Sequence, residues 1–444
     1  DLVGFEAKKQ YADVQSMELQ FQSNDTSWGA DWLTWIGGVY AFQSRQGFDP
    51  VILRVLDLNL VNGSLDGLPI APALLAALGQ AAGLGAVPNG GFALTALIDT
   101  ESIAGFAQAT VDFTDWLALT LGARYQAEER VAIASKSELE TIDGTVFPTP
   151  LCDAVNGGDI VQCRRPGEPL SDTTYSFKPK ISLDLRPSDD VLVYLTYQQA
   201  LKSGTLNVLT LYDPPDIVEP EELDAYEIGV KSSLFDGMMT LNAAAFYYDI
   251  TNLQVQFVSV LQGGAVTFEN AKGSRVQGLD FDGLLLLMPD LIDDLVLTFG
   301  GAYLDGEYTD YVGARGYSQT TGLGFTNGNY NGNDTVRTPE FTATLGLSKT
   351  WALDTGSFEL AADGYYNSGF FFSPQNEPRS EQKAYETFNA RASYLYSPWS
   401  MRITVYGNNL TDRKYKIGQF VQDFGGLDYL SQPVSYGVRL NWDF

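Results

Sequence analysis

The chain has 444 residues, with 27 Lys and Arg against 55 Asp and Glu, a formal net charge of -28 and no histidine. That charge excludes nonspecific nucleic-acid binding, and the missing imidazole removes Ser-His and Cys-His nucleophilic triads, imidazole metal sites and histidine-ligated haem. No glycine-rich phosphate loop, GxSxG elbow or CxxC pair is present, so the expectation is a chain that is not an enzyme and holds no cofactor or metal.

From the N-terminus, residues 1–13 lack a basic start followed by an apolar core, so no secretory signal peptide opens the chain; either it has been cleaved or the N-terminus shown is not the natural one. Period-two segments then recur at residues 17–23, 32–44, 105–114, 116–130, 176–186, 191–200, 225–234 and 239–249. They continue at 277–287, 294–307, 341–350, 358–370, 384–396, 400–409 and 434–444, which makes about fifteen strands. In most of them one face is apolar, as with Phe341, Ala343, Leu345 and Leu347, while the other carries Thr342, Thr344 and Ser348. No charge-free apolar run has the form of an ordinary bilayer-spanning helix. Polar side chains facing inward suit a wet lumen, so the fold class expected is all-β, a transmembrane antiparallel β-barrel of the outer-membrane type.

Connections fall into two classes. Those at 186–190, 235–237 and 397–400, and those near Asp115, Asp290 and Asp354, are short; those at 130–174, 201–224, 250–276, 308–340, 371–383 and 411–433 are long. Outer-membrane barrels have short periplasmic turns and long outside loops, which orients the chain. Residues 46–103 are then expected to be a long outside loop and 131–173 a second one. The first contains an uncharged run, residues 68–98, in which Pro72, Gly83 and Gly85 suit the ends of a short apolar loop helix at about 72–86; a membrane-spanning helix is the alternative. The second carries Cys152 and Cys163, whose expected state in an envelope protein is a disulfide. The glycine- and asparagine-rich stretch 322–334 is expected to be mobile.

All seven tryptophans, Trp28, Trp32, Trp35, Trp116, Trp351, Trp399 and Trp442, lie beside a short turn or the C-terminus. Together they read as a periplasmic aromatic belt. The last strand alternates strictly through Tyr436 and Trp442 and ends the chain on Phe444, the form of a barrel C-terminal signal.

Several segments resemble the barrel domain of TonB-dependent outer-membrane receptors: KPKISLDLRPSDDVLVYLTYQQALKSG (178–204), PEELDAYEIGVKSSLFDG (220–237), NNLTDRKY (408–415) before the aromatic-terminated strand, and MELQFQS (17–23) followed by WIGGVYAF (35–42). The resemblance implies the bacterial outer membrane and uptake of a scarce, bulky nutrient, a ferric siderophore, cobalamin or glycan. It implies energy from a TonB complex acting through a plug domain, which this sequence lacks together with an energy-coupling box. It also implies about twenty-two strands, of which about fifteen or sixteen are visible. By parity, residues 1–15 fall outside the cell unless residues 2–10 form a further strand, so the chain reads as the C-terminal part of a receptor. The absence of histidine counts against a haem receptor.

Two other functions compete. A passive porin-like channel needs sixteen strands, supplied by a strand at 2–10, and a charged constriction, for which only scattered Arg391, Arg402 and Arg439 are present. The third reading is a structural barrel subunit holding a surface-exposed or periplasmic protein partner. Outer-membrane lipid and lipopolysaccharide are the other expected partners. Aromatic residues near the outer rim, Tyr303, Tyr308, Tyr365, Tyr366, Phe370, Phe371 and Phe372, are the candidates for stacking a siderophore or sugar. If Met17–Ser23 and the C-terminal strand do not pair, each leaves an open edge.

Overall fold

The computed structural model describes residues 3–55, 58–59, 64–65, 68–69, 91–140, 146–148, 170–210, 216–259, 264–287, 294–318, 324–422 and 425–442. The wall strands are β1 (Val3–Ala7), β2 (Gln10–Gln22), β3 (Leu33–Val55), β4 (Gly91–Thr114), β5 (Leu117–Glu140), β6 (Ser171–Ser188), β7 (Val191–Lys202) and β8 (Glu221–Leu234). They continue with β9 (Met239–Ser259), β10 (Gly264–Leu286), β11 (Leu295–Asp310), β12 (Phe341–Leu353), β13 (Gly356–Phe371), β14 (Glu381–Tyr396), β15 (Met401–Asn408) and β16 (Ser435–Trp442). From β2 to β16 each pairs antiparallel with the next along the chain.

Within the further strand expected at 2–10, the described residues 3–10 do not add a strand position. β1 pairs with Val51–Val55 and β2 with residues 36–48 of the same β3, so β1 continues the line of β2. Counted once, the two give fifteen wall positions among the described residues. Nor do the ends meet: among the described residues no ladder joins β2 to β16, which removes the self-closed sixteen-strand porin arrangement.

Alternation places every second residue outward. One outward rung runs Leu121, Ile181, Tyr197, Tyr226, Tyr247, and another runs Leu297, Leu347, Ala362, Ala390, Gly407. Leu345, which is 58% exposed in the absence of lipid, and Leu195, Ile228, Val438 and Leu440 share this face. A row of exposed aliphatic side chains around fifteen strands would be untenable in water and is stabilised in hydrocarbon. Among the described residues no helix is long and apolar enough to cross a membrane, and the strands do the crossing. The inward positions are polar and bonded across strands: Tyr194 Oη donates to Glu227 at 2.6 Å, Asn389 Nδ2 to Asp363 at 2.7 Å, and Arg391 Nη2 to Glu359 at 2.8 Å.

Strands on the outer side run further than alternation shows. β3 continues to Val55 and β4 begins at Gly91, so the expected loop at 46–103 is strand over 46–55 and 91–103; β5 likewise runs to Glu140, which shortens the loop expected at 131–173. A strand of 24 residues tilted by about 45° rises about 55 Å, well beyond a hydrocarbon core of about 30 Å. Above the core both faces meet water, so pairing persists while the apolar periodicity fades. Glu101 and Glu129 sit opposite each other one outward step above the Ile103–Ala127 pair. The loop helix expected at 72–86, Cys152, Cys163 and Phe444 lie outside the described residues.

The inner turns are tight. At residues 235–237, Phe235 (φ 56°), Asp236 (φ 55°) and Gly237 (φ 83°) all take positive φ, the geometry that joins right-twisted strands by the shortest path. The stretch expected to be mobile is packed over 324–334: Gly324–Asn329 pairs with Val312–Tyr317, Tyr330 is buried, and Asn331 and Asn333 bond to Tyr311 and Pro374.

Candidate functional site

Long strands and folded loops build an outer mouth above the membrane. The connection from β7 to β8 turns inward, and its described residues lie against the walls of β5 and β10. Leu206 and Val208 pack with Ala96, Ala132 and Leu170, and Ser135 Oγ donates to the Val208 carbonyl at 2.8 Å. Asn207 uses its side-chain amide as a strand would use its backbone: Nδ2 donates to the Phe268 carbonyl at 2.8 Å and Oδ1 accepts from the Phe268 N–H at 2.8 Å. The base of the loop is fastened by Gln254 Nε2 to the Ser203 carbonyl at 3.0 Å and by Asn270 Nδ2 to the Glu219 carbonyl at 3.0 Å.

Under this strap lies a cavity of about 640 Å³, lined by Phe42, Phe48, Ile98, Leu209 and Phe268, with Arg130 the cation in its wall. Arg130 Nε is held by Glu128 Oε1 at 2.9 Å. Size and lining match those of small-molecule sites, where apolar walls bury a ligand and a few polar groups orient it.

A second outer cluster is aromatic and acidic. Tyr308, only 1% exposed, packs against Tyr311 at 5.2 Å, and Tyr311 meets Tyr330 edge-on at 5.3 Å. Tyr311 Oη donates to Glu269, which also accepts the Arg315 N–H at 3.1 Å. Burial pushes the Glu269 carboxyl above its ordinary range, against the opposing pull of the Tyr311 and Arg315 contacts. Burial likewise raises Tyr308, Tyr311 and Tyr330, which stay neutral; Tyr330 Oη donates to the Arg315 carbonyl at 3.0 Å.

The seven aromatic residues expected to stack a ligand divide among several environments. Tyr303 faces Phe341 across β11 and β12, and Phe341 lies 6.1 Å from Tyr366, all on the outward face; Tyr303 and Tyr366 therefore belong to the outer lipid boundary. Tyr365 points the other way, into the lumen, 5.9 Å from Tyr385, which stacks on Tyr415 at 4.1 Å. Tyr308 is core. Phe370 and Phe371 line a groove of about 330 Å³ whose wall also includes Tyr303, beside Asp305, Asp334, Glu340 and Glu381. Phe372 packs on Phe370 and lies 5.3 Å under Arg337. Burial, then Asp305 and Glu340, push the Asp334 carboxyl upward. The residues around the 640 Å³ cavity were not legible beforehand, because Phe42, Ile98 and Phe268 come from three strands and Leu209 from a loop.

The tryptophans sit as follows. Trp28 and Trp32 pack edge to face at 5.4 Å in the turn before β3, with Trp35 two steps into that strand. Trp116 is in the β4–β5 turn, Trp351 packs on Phe358 at 5.7 Å, Trp399 meets Tyr396 at 5.3 Å, and Trp442 pairs with Met401. All seven are exposed on the side of the short turns. Tyr436, 74% exposed, stands at the opposite end of β16.

Arg391, Arg402 and Arg439, scattered in sequence, converge. They face the lumen from β14, β15 and β16 around one recess near the inner turns, with Glu359 of β13.

A model of the TonB-dependent receptor-like β-barrel matches residues 4–410. The chain belongs to that family of TonB-dependent receptor barrels. Among curated proteins it is 25% identical, over 241 residues, to a probable TonB-dependent siderophore receptor, PiuA of Acinetobacter baumannii; the match covers 52% of this chain and 30% of the relative. Among solved structures it resembles the ferric yersiniabactin uptake receptor FyuA of Yersinia pestis, with TM-score 0.70, 16% identity, and coverage of 100% of this chain and 55% of that one. The structure of PiuA gives TM-score 0.60 at 17% identity, covering 97% and 56%. At these identities the structures show the shared fold. The chain spans little more than half the length of these two solved relatives. Barrels of this family stand in the bacterial outer membrane, which is where the apolar belt places this chain.

Proposed function

We propose that the chain is the barrel wall of a TonB-dependent outer-membrane receptor that takes up a ferric siderophore, a transporter without catalysis. The observation that carries this reading is the strapped 640 Å³ cavity at the outer mouth, opening on a polar lumen inside a lipid-facing wall. The relative PiuA, a probable siderophore receptor, supports the cargo class. Energy would come from the TonB complex, through a plug domain within the barrel. Lipopolysaccharide would meet the outward carboxylates above the belt, such as Glu101 and Glu129, through divalent cations.

The test is binding of a panel of ferric siderophores, catecholate, hydroxamate and carboxylate, to the purified chain in micelles, followed by quenching of intrinsic fluorescence. One class should bind tightly, and Phe268→Ala together with Phe42→Ala should weaken it. Equal indifference to the whole panel would overturn the cargo assignment.

A further inference from the structure

On the outward face of β2 to β6, the apolar belt gives way to polar residues over two matched rungs. The lower rung runs Met17, Ala41, Ile103, Ala127, Tyr175 and the upper one Gln15, Gln43, Glu101, Glu129, Thr173. Two residues of strand separate them, about 7 Å. Along this step lies an open trough of about 610 Å³. Ala41 and Ala127 leave its lower wall shallow on either side of Ile103, and a Cβ on Gly105, one rung further down, would meet nothing within 4 Å. The trough runs on into Leu19, Val39, Tyr125 and Phe177, exposed members of the lipid-facing belt, so it is continuous with the membrane interface. A plug within the lumen stands on the opposite side of this wall, and the centre of the trough, on β3, β4 and β5, has a wall strand on either side.

The upper rung selects the headgroup that can sit there. Glu101 and Glu129 stand directly opposite each other, an unfavourable pairing of like charges. Gln43 Nε2 donates to Glu101 at 3.3 Å, and Arg45, one rung higher, is already held at two points by Asp99, at 2.8 and 2.7 Å. Among the described residues no cation pairs with either glutamate. A bare lipid phosphate only accepts hydrogen bonds, and the two carboxylates repel it. An ammonium only donates, which leaves the Gln15 amide and Thr173 hydroxyl donors unused. Sugar hydroxyls do both, and the exposed Tyr175 ring gives a sugar an apolar face on which to stack.

We propose that this trough seats one outer-leaflet glycolipid, its sugar hydroxyls bonded to Glu101, Glu129, Gln15 and Thr173 and its acyl chain lying down the apolar rung. The inference rests on the outer-membrane reading above and adds to it a direct sugar contact that needs no bridging cation. It does not depend on which cargo the outer cavity captures.

The test is native mass spectrometry of the full chain, folded into phosphatidylcholine vesicles, checked by gel mobility, and released into neutral micelles. The micelles contain EDTA and equal amounts of a neutral diglucosyl diacylglycerol, phosphatidylethanolamine and phosphatidylglycerol. One glycolipid per chain should be retained, several-fold in preference to either phospholipid. E101A/E129A should weaken that retention about tenfold, while E101Q/E129Q, whose amides still accept from hydroxyls, should keep most of it. Ala127→Phe, which fills the trough without touching a polar group, should abolish it. Preference for either phospholipid, or for none, in a chain that has folded into the vesicles would overturn the glycolipid seat and leave the barrel reading standing. A glutamine pair as damaging as the alanine pair would overturn it too, because charge alone would then hold the headgroup. Failure of the parent chain to fold into the vesicles would overturn both readings.

Discussion

Replacing Leu345 with arginine should cost the folded barrel about 2–4 kcal/mol, while the same change at its neighbour Thr344 should cost no more than about 1 kcal/mol. Leu345 is on the outward face of β12 between Phe299 and Gly364, four residues from Phe341 at the outer boundary and six from Trp351 at the inner one. With a rise of about 3.3 Å per residue and a tilt of about 45°, it lies about 9 Å below the outer aromatic level and about 14 Å above the inner. The two sum to about 23 Å, close to the apolar band of about 25 Å typical of such barrels, so Leu345 is near the midplane. Thr344 faces the lumen between Gly300 and Tyr365, where an arginine keeps its water. Both changes insert the same side chain into the same strand, so the β-propensity of the incoming residue cancels. Urea titrations of the chain folded into phosphatidylcholine vesicles, read by tryptophan emission and gel mobility, give the two differences. Equal penalties, or a larger one at Thr344, would refute the assignment of faces.

Three further outcomes are expected. Asn207→Ala leaves the Phe268 N–H and carbonyl without their partner, a local cost of about 2 kcal/mol, so hydrogen exchange across residues 203–210 and 216–220 should accelerate while the wall stays protected. Glu269 and Asp334 both have raised folded pKa values, so each favours folding most when protonated; the outer extension should be best protected from proteolysis at acidic pH and lose protection as pH rises from about 4.5 through the folded values. Glu269→Gln should remove much of that dependence, and a flat profile in the parent chain would contradict it. Cys152 and Cys163 should form a bridge in protein isolated from the envelope with a thiol-blocking reagent, and its loss, at most about 3 kcal/mol, should leave the barrel folded; two freely alkylated thiols would count against it.

The wall was legible because lipid fixes one face of every strand, so Phe341, Ala343, Leu345 and Leu347 announce both strand and orientation. Strand ends were not, because above the membrane β3, β4, β5 and β9 keep their ladders in water on both sides, where side-chain chemistry no longer alternates. Proximity to the outer rim alone did not divide the aromatic set by face. Tyr365 and Tyr366 are adjacent in sequence and face opposite media, which the apolar series Phe358, Leu360, Ala362 would have revealed by parity alone. Parity also puts Arg391, Arg402 and Arg439 in the lumen, but their convergence depends on the register of three strands, which turn lengths set and a single sequence hides. The cavity under the strap is further from reach, since the Asn207 amide joins residues 61 apart through an inward loop.

The most direct measurement is radio-iron uptake by the native host with and without this gene, in energised cells and in cells treated with a protonophore. Uptake of one class of ferric siderophore should be lost on deletion and equally lost when the proton-motive force is collapsed, while other classes are spared. Uptake that survives the protonophore and rises linearly with external concentration would mark a passive pore and contradict the account.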